Sequence, residues 1–134
     1  MRSQTLGFTR LILTCLLVLG SARGFAQTSH SHWSGVWQVE GSPFTVRVTS
    51  HDNLLHVEPV ESMGFIWRNT PGRISGNNAT FEVEYQGVTA TVLVQKADED
   101  TAIARPLSCQ PDYHIVCALV QNQQALFVKL HTPQ

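Results

Sequence analysis

Two histidine–carboxylate pairs are the residues of this chain whose types and spacing suit general acid–base chemistry. One residue separates His56 from Glu58, and one separates Asp112 from His114. Residues two apart share a face of a β-strand, so each pair could bring an imidazole and a carboxylate within the hydrogen-bond reach that proton transfer needs. Exposure to solvent is the alternative, and we favour it. We therefore assign no catalytic residue and keep an enzyme as the third hypothesis.

A metal site is the next chemistry to consider, because of His30-Ser31-His32. These residues would lie near the start of the chain if residues 1–26 were removed as an export signal, a prediction explained below. An amino-terminal copper or nickel site needs histidine as the third residue, whereas cleavage after Ala26 would make His30 the fourth. A solvated arm is the alternative. No glycine-rich phosphate loop and no nucleophile motif occurs. We predict no metal site and no cofactor.

Cys109 and Cys117 are the two cysteines that remain if the first 26 residues are removed. An even number of cysteines in an oxidising compartment favours one disulfide bond, which would contribute roughly 2–3 kcal/mol for a loop of this size. Two buried free thiols are the alternative. A zinc site would need a second pair of ligands at a suitable spacing, and the sequence offers none.

Large aromatic residues are the candidates for ligand binding. Trp33, Trp37 and Trp67 are many tryptophans for a small domain, and core packing is their ordinary role. The functional alternative is a surface for an apolar ligand or a sugar ring. Residues 64–67, Gly-Phe-Ile-Trp, could form the lip of a cavity. The predicted ligand-binding residues are the following: Trp37, Phe65, Trp67 and Tyr85.

The first 26 residues have the pattern of a secretory signal peptide. Arg2 and Arg10 precede an apolar run at residues 11–19, and small residues follow up to Ala26. The apolar run is shorter than the roughly 20 residues that cross a bilayer. We therefore expect a periplasmic or secreted protein with no stable membrane span after cleavage.

The net charge of the exported chain limits the classes of molecule that it can bind. After residue 26 it has six basic residues and ten acidic ones, a net charge of −4, and no two basic residues are adjacent. Phosphate backbones bind concentrated basic surfaces, so this balance excludes nucleic acid as a partner.

Period-two alternation predicts that residues 35–134 form one antiparallel β domain behind a flexible arm at 27–34. Apolar and polar residues alternate over 44–49, 81–86 and 88–92. Gln86-Gly87 links the last two runs, so residues 80–95 are predicted to form a β-hairpin.

Turn signals every 8–12 residues delimit further strands at 35–40, 43–50, 54–60, 101–105, 113–121 and 125–131, and one strand or a pair of strands within 64–75. Residues 115–120 are apolar at every position, which favours a central strand covered on both faces. In total the sequence predicts an all-β fold of eight or nine strands. It leaves open an up-and-down barrel or a β-sandwich.

Gly35-Val36-Trp37, at the start of the first strand, resembles the G-x-W signature with which lipocalins and related small barrels begin. The resemblance covers three residues and implies a barrel in which the tryptophan plugs one end and the glycine allows a close approach of the chain. Lipocalins also have an arginine on the last strand, for which Lys129 is the nearest candidate here. Small exported bacterial barrels that inhibit lysozymes are similar in size and disulfide use.

These observations favour an exported, non-catalytic barrel that binds a small apolar ligand or a protein, in the manner of an inhibitor. The alternative is an accessory subunit of an envelope or secreted complex, which would dock through the doubly apolar segment 115–120.

Overall fold

The computed structural model describes residues 32–131, which form nine β-strands and one short helix. The predicted signal peptide and residues 27–31 of the predicted arm lie outside the described residues. The strands are β1 (Gly35–Val39), β2 (Thr45–His51), β3 (Leu54–Glu61), β4 (Arg68–Asn69), β5 (Gly72–Ser75), β6 (Asn78–Tyr85), β7 (Val88–Lys96), β8 (Thr101–Gln110) and β9 (Ala125–Leu130); the helix α1 is Ile115–Val120.

The strands form a closed antiparallel barrel of eight strands, with β4 as an additional short strand. Neighbours in the barrel follow chain order, and β9 returns to pair with β1 through residues such as Phe127 opposite Val39. Closure of the sheet pairs each of the eight barrel strands on both sides, although β3 pairs with β5 only at Leu54 and Leu55. Of the two architectures that the sequence left open, the barrel is the one found.

Tight turns explain the connections between neighbouring strands. Gln86 and Gly87 have φ angles of 49° and 77°, and Asp52 and Asn53 have 49° and 62°. Positive φ at both central residues gives a turn whose twist matches that of the flanking strands. The predicted hairpin at residues 80–95 is therefore confirmed, as β6 and β7.

The predicted strand at residues 113–121 is wrong, because Ile115–Val120 forms α1 instead. The Nδ1 atom of His114 accepts a hydrogen bond from the backbone N–H of Val116, which caps the first turn of the helix. A short apolar run is compatible with either a strand or a helix, so its periodicity could not decide. Nor is it covered on both faces, since Ile115 and Leu119 are 66% and 68% exposed.

The predicted disulfide joins α1 to the barrel. Cys117 is buried on the helix and bonded to Cys109 on β8, and their Cα atoms are 5.5 Å apart. Because α1 lies in the connection between the neighbouring strands β8 and β9, at one end of the barrel, the disulfide fixes the helix to that end.

Trp33 and Trp37 close the opposite end. Each is 3% exposed, and the Trp37 Nε1–H donates to the Trp33 backbone carbonyl over 3.0 Å. Trp33 thus belongs to the core, although the sequence analysis placed it in the arm. We call the end that contains these tryptophans the closed end and the end that contains α1 the open end.

Candidate ligand-binding cavity

A cavity of about 310 Å³ lies inside the barrel. Seventeen side chains line it, and all of them are aromatic or aliphatic. This volume is at the small end of ligand pockets in general. An interior of this kind contrasts with ordinary protein cores, which are packed with few voids larger than a water molecule.

Period-two alternation aims these side chains inward. On β2, Val46 and Val48 line the cavity, whereas Arg47 between them is exposed. The same spacing holds on five strands, whose inward residues are Val46 and Val48, Leu55 and Val57, Phe81, Val83 and Tyr85, Val92 and Val94, and Ala102 and Ala104. The space exists partly because Ala102 and Ala104 present only methyl groups to the interior.

All four residues that the sequence analysis proposed for ligand binding line this one cavity: Trp37, Phe65, Trp67 and Tyr85. They come from three separate regions of the chain, and the closed barrel brings them together. Three phenylalanines that were not among the predicted residues also line the cavity: Phe44, Phe81 and Phe127. Phe44 and Phe81 begin alternating runs, so the inward side of those runs was the available signal.

Aromatic rings pack against one another in the part of the cavity nearer the open end. The Phe65 and Tyr85 rings meet edge to face with centroids 5.8 Å apart. The Phe44 ring lies 6.1 Å from the Trp67 ring and 6.5 Å from the Phe127 ring. Such pairs contribute about 0.5–1.5 kcal/mol each beyond the area they bury.

The mouth of the cavity lies at the open end. Phe65 lines the cavity and is also 49% exposed, so it stands where the interior meets solvent. It belongs to residues 64–67, the segment proposed from the sequence as a cavity lip, which lies in the connection between β3 and β4. Ile66, the next residue, is 87% exposed and does not line the cavity.

The seam between β3 and β4 is the weakest part of the wall. β3 pairs with β5 only at Leu54 and Leu55. Farther along β3, the Asn69 side chain of β4 donates from Nδ2 to the Val57 carbonyl over 3.0 Å. A single side-chain hydrogen bond, and no ladder of backbone hydrogen bonds, therefore joins β3 to β4.

Trp67 carries a buried polar atom without a partner. Among the described residues, no acceptor lies within hydrogen-bond distance of its Nε1. A buried donor without an acceptor lowers the stability of a fold by about 1–3 kcal/mol. The position of the Trp67 indole in the cavity wall therefore has a cost in folding stability.

Charged groups lie outside the closed end, beyond the tryptophan plug. The Lys96 and Lys129 ammonium groups both donate to the His32 carbonyl, over 2.9 and 3.0 Å. They also lie 5.8 Å from the Trp33 ring centroid and 5.1 Å from the Trp37 ring centroid, respectively. Partial burial, together with repulsion from Lys129, lowers the pKa of Lys96.

The two histidine–carboxylate pairs lie away from the cavity. His56 and Glu58 are exposed on the outer face of β3, and neither lines the cavity. His114 caps α1, and Asp112 is exposed. Within residues 32–131, no group of three or more histidine, cysteine, aspartate or glutamate side chains is placed to hold a metal ion.

No family model, curated protein or solved structure matches the chain. In the part of the chain described, no helix has the length and hydrophobicity to cross a bilayer.

Proposed function

We propose that this protein binds a small apolar molecule inside its barrel. The observation that carries the proposal is the uncharged cavity of about 310 Å³, enclosed by aromatic and aliphatic side chains and open at one end. Burial of apolar surface provides the affinity, since it contributes about 25 cal/mol per Å² removed from water.

The volume limits the size of the ligand. A cavity of about 150 Å³ holds one benzene molecule in a protein core. A cavity of 310 Å³ has room for about twice as much, on the order of 10–12 carbon atoms. An alkyl chain of that length, or a compact ring system of similar size, fits the proposal.

An extracytosolic location is part of the same proposal. The Cys109–Cys117 disulfide is compatible with an oxidising compartment, and residues 1–26 have the pattern of an export signal. Mass spectrometry of the protein recovered from the periplasm or medium would test this. A mature N-terminus at Gln27 supports export, whereas a cytosolic precursor with alkylatable thiols contradicts it.

A homologous series of primary alcohols with 6–16 carbons tests the binding proposal. Tryptophan fluorescence is a suitable signal, because Trp33, Trp37 and Trp67 all line the cavity. Each buried methylene contributes about 0.8 kcal/mol, so affinity is expected to rise about fourfold per carbon. The rise should stop near 10–12 carbons, where the cavity is full.

A cavity-filling variant provides the specific control. Ala104→Leu places three further carbon atoms inside the cavity and should shift the plateau toward shorter alcohols. Ala97→Leu, in an exposed turn, should leave the series unchanged. Affinity that is flat along the series, or equal in both variants, would overturn the proposal.

A further inference from the structure

We propose that the open end of the barrel docks onto the surface of a neutral lipid bilayer, where the cavity exchanges its ligand. This inference rests on the proposed function for the exchange step. The docking itself rests on a separate observation, the distribution of exposed apolar and charged side chains between the two ends of the barrel.

Exposed apolar side chains are concentrated at the open end. Within residues 32–131, ten large hydrophobic residues are exposed, and eight of them lie on the open-end connections or on the strand segments that lead into them. The most exposed are Ile66 (87%), Tyr113 (86%), Leu119 (68%) and Ile115 (66%). Patches of this kind on a soluble domain mark sites of interaction.

These residues stand on two projections that flank the mouth. Ile66 follows Phe65, whose ring lines the cavity and meets solvent. On the other projection, Ile115 and Leu119 are four residues apart and share one face of α1, while Cys117 anchors the opposite face. Both projections therefore present exposed apolar side chains at the end of the barrel where the apolar cavity opens.

Charge separates the two ends of the barrel. The four connections at the open end, residues 40–44, 62–67, 86–87 and 111–124, contain no lysine or arginine. Their only acidic residues are Glu40 and Asp112. By contrast, the closed end carries Lys96, Lys129 and the acidic turn at residues 98–100.

This separation favours a neutral bilayer over other occupants. Basic residues draw proteins to anionic lipids, at about 1 kcal/mol for each residue near the surface, and none is present in these connections. Arg68, which directly follows the second connection, forms an ion pair with Glu84 over 2.6 Å, so its charge is balanced locally. Insertion of apolar side chains into the interface needs no such attraction. An apolar ligand that enters or leaves through a mouth seated on lipid also avoids transfer through water.

Flotation with phosphatidylcholine vesicles tests the docking. All proteins are purified from cells that export them, and mass spectrometry verifies a common N-terminus, so any lipid contact made ahead of residue 32 is shared. The test variant is Ile66→Ser/Leu119→Ser. The matched control is Leu54→Ser/Leu130→Ser, which removes two exposed leucines (37% and 45% exposed) from the closed end.

The wild-type protein and the control variant should float with the vesicles. The affinity of the test variant for the vesicles should be lower by a factor of at least about ten. Binding should persist in 0.5 M salt and should fall when anionic lipid replaces part of the phosphatidylcholine. Equal flotation of both variants, dependence on anionic lipid, or loss in salt would overturn the docking. So would a dimer, detected by light scattering, that the test variant abolishes.

Alcohol binding measured without vesicles separates this inference from the proposed function. Ile66 and Leu119 do not line the cavity, so the test variant should retain wild-type affinity for decanol. Decanol binding without flotation would refute the docking alone. Flotation without decanol binding would refute the ligand proposal and leave the docking surface.

Discussion

Phe65 and Tyr85 meet edge to face at the mouth of the cavity, with ring centroids 5.8 Å apart. Phe65 lies on the β3–β4 connection, and Tyr85 ends β6, with which β4 pairs, so the two rings meet on one side of the opening. A ligand that enters through the open end passes beside these rings, because both of them line the cavity and Phe65 is 49% exposed.

Phe65→Ala is therefore expected to accelerate ligand dissociation several-fold. The fold should lose only about 1 kcal/mol, because Phe65 is half-exposed and a buried Phe→Ala change costs about 3–5 kcal/mol. Stopped-flow tryptophan fluorescence after displacement of decanol measures the rate. Tyr113→Ala is the control, since Tyr113 is 86% exposed at the same end and does not line the cavity. Equal rates in the wild type and Phe65→Ala would contradict a gate at this position.

Gly35→Ala is expected to destabilise the closed end. Gly35 has a φ angle of 149°, and a Cβ atom there would lie 3.1 Å from Cε of Lys129. Backbone strain of this kind costs about 1–3 kcal/mol, which should lower the melting temperature by at least about 4 °C. The Lys129 side chain therefore lies directly against Gly35.

Gly41→Ala separates strain from steric contact in that experiment. Gly41 also has a positive φ angle, 76°, but a Cβ atom there would meet nothing within 4 Å. Gly35→Ala should therefore lower the melting temperature more than Gly41→Ala does. A loss at Gly35 that is no larger than the loss at Gly41 would contradict this prediction.

Strand positions followed from the sequence where one face of a strand is buried and the other is exposed. Alternation in β2 and β6 identifies the strands and the side that faces the interior, since side chains on a strand alternate between faces. The same logic failed for residues 115–120, because a uniformly apolar run carries no periodicity. A signal that could have been used was His114, which can cap a helix as well as pair with Asp112.

The cavity itself could not be derived from the pattern. Whether inward side chains meet or leave a space depends on the summed volumes of residues from all strands and on barrel closure. Ala102 and Ala104, for example, lie in a predicted strand whose inward side the sequence did not identify, yet their small size helps to leave the interior unfilled. The aromatic character of the residues and the apolar segment 64–67 gave the prediction of Trp37, Phe65, Trp67 and Tyr85, and the barrel places all four around one cavity.

Cys109→Ser is expected to lower the melting temperature by about 10 °C. A disulfide that closes a loop of this size contributes roughly 2–3 kcal/mol, and α1 depends on it for attachment to β8. Differential scanning calorimetry measures the change, and Cys109→Ser/Cys117→Ser should match the single variant. An unchanged melting temperature of the wild type under reductant would contradict the prediction.

Asp98→Ala is expected to destabilise the β7–β8 turn in a pH-dependent manner. The Asp98 Oδ1 atom accepts hydrogen bonds from the backbone N–H groups of Asp100 and Thr101, each over 2.9 Å. These bonds, chiefly the one from Asp100, lower the pKa of Asp98 below its ordinary value of 3.8. A lowered pKa means that the ionised carboxylate favours the folded state, so its contribution is complete above the unfolded value and disappears as the pH falls through the folded value.

The melting temperatures of wild-type protein and Asp98→Ala should therefore differ most at neutral pH and converge as the pH falls below about 3.8. Thermal unfolding followed by circular dichroism between pH 7 and pH 2.5 measures this convergence. Asp112→Ala removes an exposed carboxylate at the open end and controls for the change in net charge. A difference between wild type and Asp98→Ala that stays constant to pH 2.5 would show that the side chain acts through packing, because the turn would then gain nothing from the ionised form.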